Sequence, residues 1–314
     1  MVSLIINPVA GGIAPAVSVA RAQRAAAVLE ERGEAGEVYV SQRRGHAHDL
    51  AAAAVRRGDR LVMAWGGDGT VNEVASALVG SSTALGIVPG GSGNGLAREL
   101  GLPLTAEAAL RAALTGSPRA IDAGQLGGRW FFSLAGIGFD AHVAAAFDRH
   151  EGRRGFANYV RITVQELRRY TCGTYRVNGG EPLRALLVTF ANSGQFGNGA
   201  RIAPDARIDD GQLDLVVFQE RSRLSTVLAL PTLFTGGAAS VRGVTIERVE
   251  TAVVESDAPM GFHVDGEPCT GGTRLEARIH PGVLRVAAGE QAEKKRDARA
   301  EAGRIPHESS GPGT

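Results

Sequence analysis

Trp65-Gly66-Gly67-Asp68-Gly69-Thr70-Val71-Asn72-Glu73-Val74, followed about twenty residues later by Pro89-Gly90-Gly91-Ser92-Gly93-Asn94-Gly95-Leu96-Ala97-Arg98, decides how this chain is read. Each run follows a short apolar stretch, Arg60 to Ala64 and Ala84 to Val88, and leads into a helical pattern. A strand, a glycine loop and a helix in that order aim backbone N–H groups and a positive helix end at one spot, where an anion can sit. Glycine lets the main chain approach a phosphate with no Cβ in the way. A third run, Ile5-Ile6-Asn7-Pro8-Val9-Ala10-Gly11-Gly12, ends the first apolar stretch with another glycine-rich turn. All three then fall at C-terminal strand ends, where open α/β sheets bind ligands.

Outward from these loops, strand and helix patterns alternate: Val2 to Ile6, a helix from about Ala14 to Arg32, Glu37 to Val40, and a helix from His46 to Arg57. The pattern predicts an α/β fold whose N-terminal α/β domain, residues 1–122, is built on a mostly parallel sheet covered on both faces. From about Asp122 the signal changes. Arg129 to Leu134, Thr174 to Val177, Arg184 to Ala191, Gln212 to Gln219, Val244 to Ser256, Gly261 to Val264 and Thr273 to His280 read as strands between turn residues. They predict a C-terminal antiparallel β-sandwich-like domain, residues 123–289, interrupted by helices over Phe156 to Tyr170 and Ser222 to Ala239. Residues 290–314 are charged and poor in apolar side chains, and are expected to be a disordered tail.

Composition narrows the choice. The formal net charge of +1 over 314 residues gives no basic stripe, so nucleic acid is not an expected partner. No apolar run approaches the roughly twenty residues that cross a bilayer, which points to a cytoplasmic protein, at most peripheral at the inner face of a membrane. Cys172 and Cys269 can build neither a disulfide framework nor a four-ligand zinc site. The only lysines are Lys294 and Lys295, in the tail, so a Walker-type loop, which needs Lys after its glycines, is excluded.

Within the first loop, Asp68 is the unexpected member: a carboxylate beside phosphates repels them unless a divalent cation lies between, which implies magnesium. The alternative is a helix cap, with Thr70 and Asn72 as turn residues. Ser92 and Asn94 are placed to bond a phosphate or a ribose, or else only to form a tight turn. Asp265-Gly266 reads as a hairpin turn with Glu267 beside it, and Asp209-Asp210-Gly211 as a β-turn. His46 and His48, two apart, do not share a helical face and are read as surface residues.

Asn7-Pro8 with Gly11-Gly12, the GGDGTVNEV run and the PGGSGNGLAR run together resemble the catalytic domain of the diacylglycerol kinase and sphingosine kinase superfamily. Two downstream motifs match as well, Ala203-Pro204-Asp205-Ala206-Arg207-Ile208-Asp209-Asp210-Gly211-Gln212-Leu213-Asp214 and His263-Val264-Asp265-Gly266-Glu267-Pro268. The resemblance covers nearly the whole chain before the tail. It implies ATP and Mg2+ as cofactors, with ATP held by Asn7, Pro8, Gly11, Gly12, the loop of Gly66, Gly67, Asp68, Gly69, Thr70 and Asn72, and Ser92. Ser41 stands where the family often has Thr. A carboxylate of the Asp265-Gly266-Glu267 turn is implied as the base that takes the proton of a lipid hydroxyl, Glu267 being favoured and Asp265 orienting it or binding metal. Asp210 with the carbonyls of Arg207 and Gln212 is implied as a structural magnesium site, and Asp122 as an acid near the lipid head group.

The implied function is an ATP-dependent lipid kinase acting at a membrane surface on diacylglycerol or a related glycerolipid. Gly95 stands where many diacylglycerol-type members carry Asp, and the Ser-Gly-Asn-Gly-Leu-Ala form also resembles long-chain-base kinases, so a sphingoid acceptor stays open. The basic stretch Arg149, Arg153, Arg154, Arg161, Arg168 and Arg169, interleaved with aromatics, is either a lipid-facing surface or a solvated helix face. NAD kinase and phosphofructokinase share a Gly-Gly-Asp-Gly loop, but the Asn-Pro turn and the second loop argue against them. A serine hydrolase at Ser92 fails, because its elbow needs Gly where Asn94 stands. A non-catalytic nucleotide-binding regulator would not need Asp68, Asp265 and Glu267 together.

Overall fold

Every residue of the first strand, β1 (Val2–Ile6), is buried, and so is every residue of β3 (Leu61–Gly66) and β4 (Ala84–Pro89). Such unbroken apolar runs fit strands with both faces covered. In this computed structural model β1, β3, β4 and β2 (Gly36–Val40) run parallel in the order β2-β1-β3-β4. Residues 1–11, 16–150, 156–194, 201–222 and 240–288 are described, together with the isolated positions 225, 232 and 237. Gly12, Arg153, Arg154, the body of the expected helix from Ser222 to Ala239 and the 290–314 tail lie outside the described residues.

Alternate residues of the parallel strands feed two cores. Ile5, Val62, Ala64, Leu85 and Ile87 pack on α2 (His46–Arg57), α3 (Asp68–Leu78) and α4 (Gly95–Glu99) through Ala51, Val74, Leu78 and Leu96. Leu4, Ile6, Met63 and Val88 pack on α1 (Ala16–Glu31) and α5 (Ala106–Thr115) through Val28, Leu29 and Leu110. Truncating one such side chain, Leu78 to Ala, removes about 2–5 kcal/mol. Local signals agree with the packing: α2 stops at Gly58, in the left-handed region at φ 78°, with Arg56 and Arg57 in its last turn opposing the helix dipole.

Beyond Thr115 the chain becomes antiparallel. It runs through β5 (Ser117–Leu126), β6 (Arg129–Phe131), β7 (Leu134–Gly138), α6 (Phe139–Asp148), α7 (Phe156–Leu167), β8 (Gly173–Val177), β9 (Leu183–Ala191) and β10 (Leu213–Gln219). It then continues through β11 (Val244–Val249), β12 (Thr251–Glu255), β13 (Gly261–Val264), β14 (Glu267–Thr270) and β15 (Arg274–Ala288). One series is β14-β13-β7-β9 with β10 and β11 beyond β9; another is β8-β12-β15 with β5 and β6 beside β15. Leu126, Phe131, Ile137, Val188, Phe190, Leu215 and Leu275 fill the core between them.

Three differences from the sequence reading have physical causes. The stretch Val244 to Ser256 breaks at Glu250, because β11 pairs with β10 while β12 pairs with β15 and β8. Arg129 to Leu134 is interrupted at Phe132 and Ser133, whose N–H groups turn to a carboxylate described below. The last strand runs on past His280 to Ala288: it pairs with β12 and β5 first, shifts register between His280 and Leu284, then pairs with β5 and, in parallel, with β4 through Arg285 and Val286. The N-terminal sheet is thus continued by the far end of the chain. Helices α5 and α6 and strands β5 and β14 were not foreseen.

Candidate active site

The two glycine loops lie against each other at the C-terminal ends of β3 and β4. The Gly90 N–H donates to the Gly66 carbonyl at 2.8 Å, and a Cβ placed on Gly91 would stand 2.6 Å from the Gly67 Cα. Only bare backbone fits there. Asp68, first residue of α3, crosses the gap: its carboxylate accepts the N–H of Asn94 at 3.0 Å and of Gly95 at 2.7 Å. Burial pushes its carboxyl up, against the Gly95 and Asn94 N–H groups and with the nearby Asp265 charge. Asn94 sits in the left-handed region at φ 51°, and its amide closes the loop onto both the N–H and the carbonyl of Gly91. Asn94 is therefore a loop brace, and Ser92 is the exposed tip.

Asn7 joins the third loop to the first by donating from its amide to Thr70 Oγ1 at 2.8 Å, while its side-chain oxygen accepts the Val9 N–H. Pro8 and Gly11 continue that turn, Gly11 at φ 81°. Arg21 lies over the Trp65 ring and donates to the carbonyls of Asn7 and Ala10. Ser41, buried at the end of β2, donates its N–H to the Ile6 carbonyl. The structure thus brings Asn7, Pro8, Gly11, Ser41, Gly66, Gly67, Asp68, Gly69, Thr70 and Ser92 to one edge of the sheet.

Asp265 is a hub rather than an open acid. Its Oδ2 accepts from the Asn72 amide at 2.8 Å and the Phe132 N–H at 2.9 Å, and its Oδ1 from the N–H groups of Ser133 at 2.8 Å and Leu134 at 3.1 Å. Four donors fill the lone pairs of a carboxylate. Burial pushes this carboxyl up, and the same four donors oppose it. A carboxylate so engaged orients the turn that leads into Glu267. Asn72, with its amide on Asp265 and on the Trp130 carbonyl, is likewise engaged within the protein.

Two residues on, Glu267 faces the head of α3, where a Cβ on Gly69 would meet its Oε2 at 3.3 Å. Its carboxylate is one-quarter exposed and pairs with Arg44 at 3.0 Å. Burial pushes the carboxyl up; Arg44 and Arg129 oppose, while Glu73 and Asp148 reinforce. The turn between the two acids is pinned from behind: buried His263 accepts the Gly266 N–H on Nδ1 at 3.2 Å, and its Nε2 lies 3.4 Å from Asp140, which also accepts from Thr189. Arg44, Asp148 and Asp140 escaped the sequence reading, and Glu73 and His263 stood inside quoted motifs with no role of their own. Glu73 stood inside the GGDGTVNEV run and could have been asked for a partner.

Asp122 is 4% exposed and spends its two carboxylate oxygens on the N–H groups of Gly211 and Gly282. From the middle of β5, Asp122 thus braces two neighbouring turns. It supports the turn holding Asp210, which lines a 360 Å³ pocket with Gln212, Glu250, Thr251 and Arg278. Asp210 accepts the Gln212 N–H at 3.2 Å; burial pushes its carboxyl up, against that N–H and the nearby Arg248 and Arg207. One carboxylate with the carbonyls of Arg207 and Gln212 is a hard oxygen set that fits magnesium. No group of three or more His, Cys, Asp or Glu side chains suited to a metal occurs among the described residues. Cys172 and Cys269 are free, and no helix among the described residues is long and apolar enough to cross a membrane.

Glycine loops stacked at the head of a helix, next to a half-buried carboxylate on a braced turn, suit the chemistry of phosphoryl transfer. Residues 1–126 match the diacylglycerol kinase catalytic domain, and residues 133–288 match the YegS C-terminal NAD kinase beta sandwich-like domain. The chain is 34% identical over 279 residues to the diacylglycerol kinase of Mycobacterium tuberculosis, covering 85% of this chain and 88% of that one. It is 35% identical over 273 residues to the "Probable lipid kinase YegS-like" of Chromohalobacter salexigens, covering 83% and 86%. A diacylglycerol kinase crystal structure from Bacillus anthracis superposes with a TM-score of 0.68 at 17% identity, covering 93% of this chain and 97% of that one, a likeness of fold. The chain belongs to the diacylglycerol kinase family of lipid kinases.

Proposed function

We propose that this lipid kinase transfers the γ-phosphoryl group of ATP to the hydroxyl of diacylglycerol or a related glycerolipid. The observation that carries the reading is the pairing of roles in one turn: Asp265 is saturated by four donors while Glu267, two residues away, keeps an accessible carboxylate against the first glycine loop. The lipid oxygen attacks the γ-phosphorus, the bond from that phosphorus to the β,γ-bridging oxygen breaks, and its electron pair leaves with ADP. The hydroxyl proton passes to Glu267. Loop N–H groups and the α3 terminus hold the phosphates, with Asn7, Gly66 to Thr70 and Ser92 around them. Magnesium would neutralise phosphate charge beside Asp68, whose role here is first to lock the two loops together. A second magnesium would sit at Asp210, Arg207 and Gln212 as a brace.

In this reading residues 1–122 form the nucleotide half and 123–289 the lipid half, and the protein meets its substrate at a membrane surface. A sphingoid base is the second acceptor considered, because of the Ser92-Gly93-Asn94-Gly95 form of the loop. The test supplies labelled ATP and magnesium with mixed micelles of diacylglycerol, monoacylglycerol, sphingosine, ceramide and phosphatidylglycerol, and NAD as a soluble control. Label in a glycerolipid is expected. Label in sphingosine alone would select the second acceptor, and label only in NAD would overturn the lipid reading.

A further inference from the structure

Arg44 lies in the loop between β2 and α2, on the same sheet edge as the glycine loops. Its guanidinium touches Glu267 at 3.0 Å and Asp148 at 3.2 Å, yet its side chain is 65% exposed. The backbone under it is fixed: Glu73, from α3, accepts the N–H groups of Gly45 at 2.8 Å and Ala47 at 3.1 Å. A fixed base and a long solvated arm make a side chain that can change partners without moving the loop.

Its surroundings need such a cation. Glu73, Asp148, Glu267, Asp68 and Asp265 all bear on this end of the sheet, and the chain's only lysines are Lys294 and Lys295. A triphosphate entering there meets this negative charge, which at Glu267 is offset by Arg44 and Arg129. Arg21 is held by the carbonyls of Asn7 and Ala10 and by the Trp65 ring, and Arg98 donates to the Gly93 carbonyl. Arg44 is held by two side-chain carboxylates, in contact with solvent, where an ion pair contributes little. A phosphoryl group presents the oxygens that a guanidinium fork matches best.

We propose that Arg44 is a donor-sensing clamp: parked on Glu267 and Asp148 in the resting protein, it moves to the terminal phosphoryl group of the bound nucleotide and in doing so frees Glu267 from its ion pair. The inference rests on the assignment of Glu267 as proton acceptor. The base is then released from its ion pair when the group to be transferred has arrived. Arg44 also offsets charge that builds on the phosphoryl oxygens during transfer.

The test separates donor sensing from a merely structural ion pair. Affinities for ADP and for the β,γ-imido analogue of ATP are measured in magnesium by calorimetry, with no lipid present. The unmodified protein should prefer the analogue; R44Q should lose that preference by about tenfold and lower kcat by on the order of 10²-fold, with R44K recovering part of both. D148N, which loosens the parked arrangement, should bind the analogue a few-fold more tightly and leave ADP unchanged, since the clamp gives up less on leaving. Matching melting temperatures exclude misfolding. An unchanged analogue-to-ADP ratio in R44Q, or an unchanged analogue affinity in D148N, overturns the clamp. Absence of labelled lipid in the unmodified protein would overturn the function reading instead, and the nucleotide titrations would still report on Arg44.

Discussion

Asn72 and Asp265, 193 residues apart in sequence, are joined by an amide-to-carboxylate hydrogen bond of 2.8 Å. It ties the helix after the first glycine loop to the turn that carries Glu267. The relative position of the first glycine loop and Glu267 therefore rests on a partly buried contact between the two parts of the molecule rather than on chain connectivity.

Asp265→Asn should damage folding before chemistry. An amide in that place offers one acceptor oxygen to four donors, and each donor left unpaired costs about 1–3 kcal/mol. Urea unfolding should show a clear loss of stability, which Glu267→Gln should not share. Equal stability of the two variants would refute the hub role.

Glu267→Gln should lower turnover by roughly 10²–10⁴ while donor binding survives. The sign of the pH dependence follows from the raised carboxyl: the acceptor works ionised, burial favours its protonated form, so the rate climbs with pH through a value above the ordinary 4.5. The acid limb of kcat/KM, measured with saturating ATP, should lie above that value. A limb at or below it would remove Glu267 from the role.

Gly91→Ala should lower stability and weaken nucleotide binding, because the new Cβ meets the Gly67 Cα at 2.6 Å and neither is free to yield. Such overpacking typically costs 1–3 kcal/mol. Gly67→Ala, at φ −88° with 3.4 Å of room, should be milder. Thermal melts and ADP titration of both proteins check the contrast, and a reversed order would count against the stacked-loop account.

Asp210→Ala should abolish the part of the magnesium dependence of Tm that comes from this turn. A ligand at a hundred times its Kd adds about 2.7 kcal/mol to the folded state, enough to read in a melting series. A magnesium titration that matches the unmodified protein would exclude the site.

Fold class was open to sequence reading where signals are local. The span His46 to Arg57 is the helix observed and Gly261 to Val264 the strand observed, since period and turn residues define both. Val244 to Ser256 looked continuous because both strands keep a β pattern; the change of partner at Glu250 is made by strands far away in sequence. Phe139 to Asp148 was missed because its mixed apolar content has a weak helical period. In the site, glycines announced themselves, while acids did not declare their duties. Asp68, Asp122 and Asp265 are alike in sequence, and what separates them is which N–H groups reach each one, from up to 160 residues away for Asp122. Arg44 carries no motif at all, and its meaning comes from Glu267 and Asp148.

Because β15 covers the edge of β4 that β3 leaves open, through Arg285 and Val286, the N-terminal α/β part leaves the ribosome with a raw sheet edge and waits for that later strand to seal it. The pairing of Arg285 with Ala84 closes a span of 201 residues, which slows folding and leaves β4 open to pairing with another nascent molecule in the interval. A fragment ending at residue 126 would expose that edge permanently and should aggregate. The same strand also pairs with β12 and β5, so the parallel and antiparallel parts of the molecule share it.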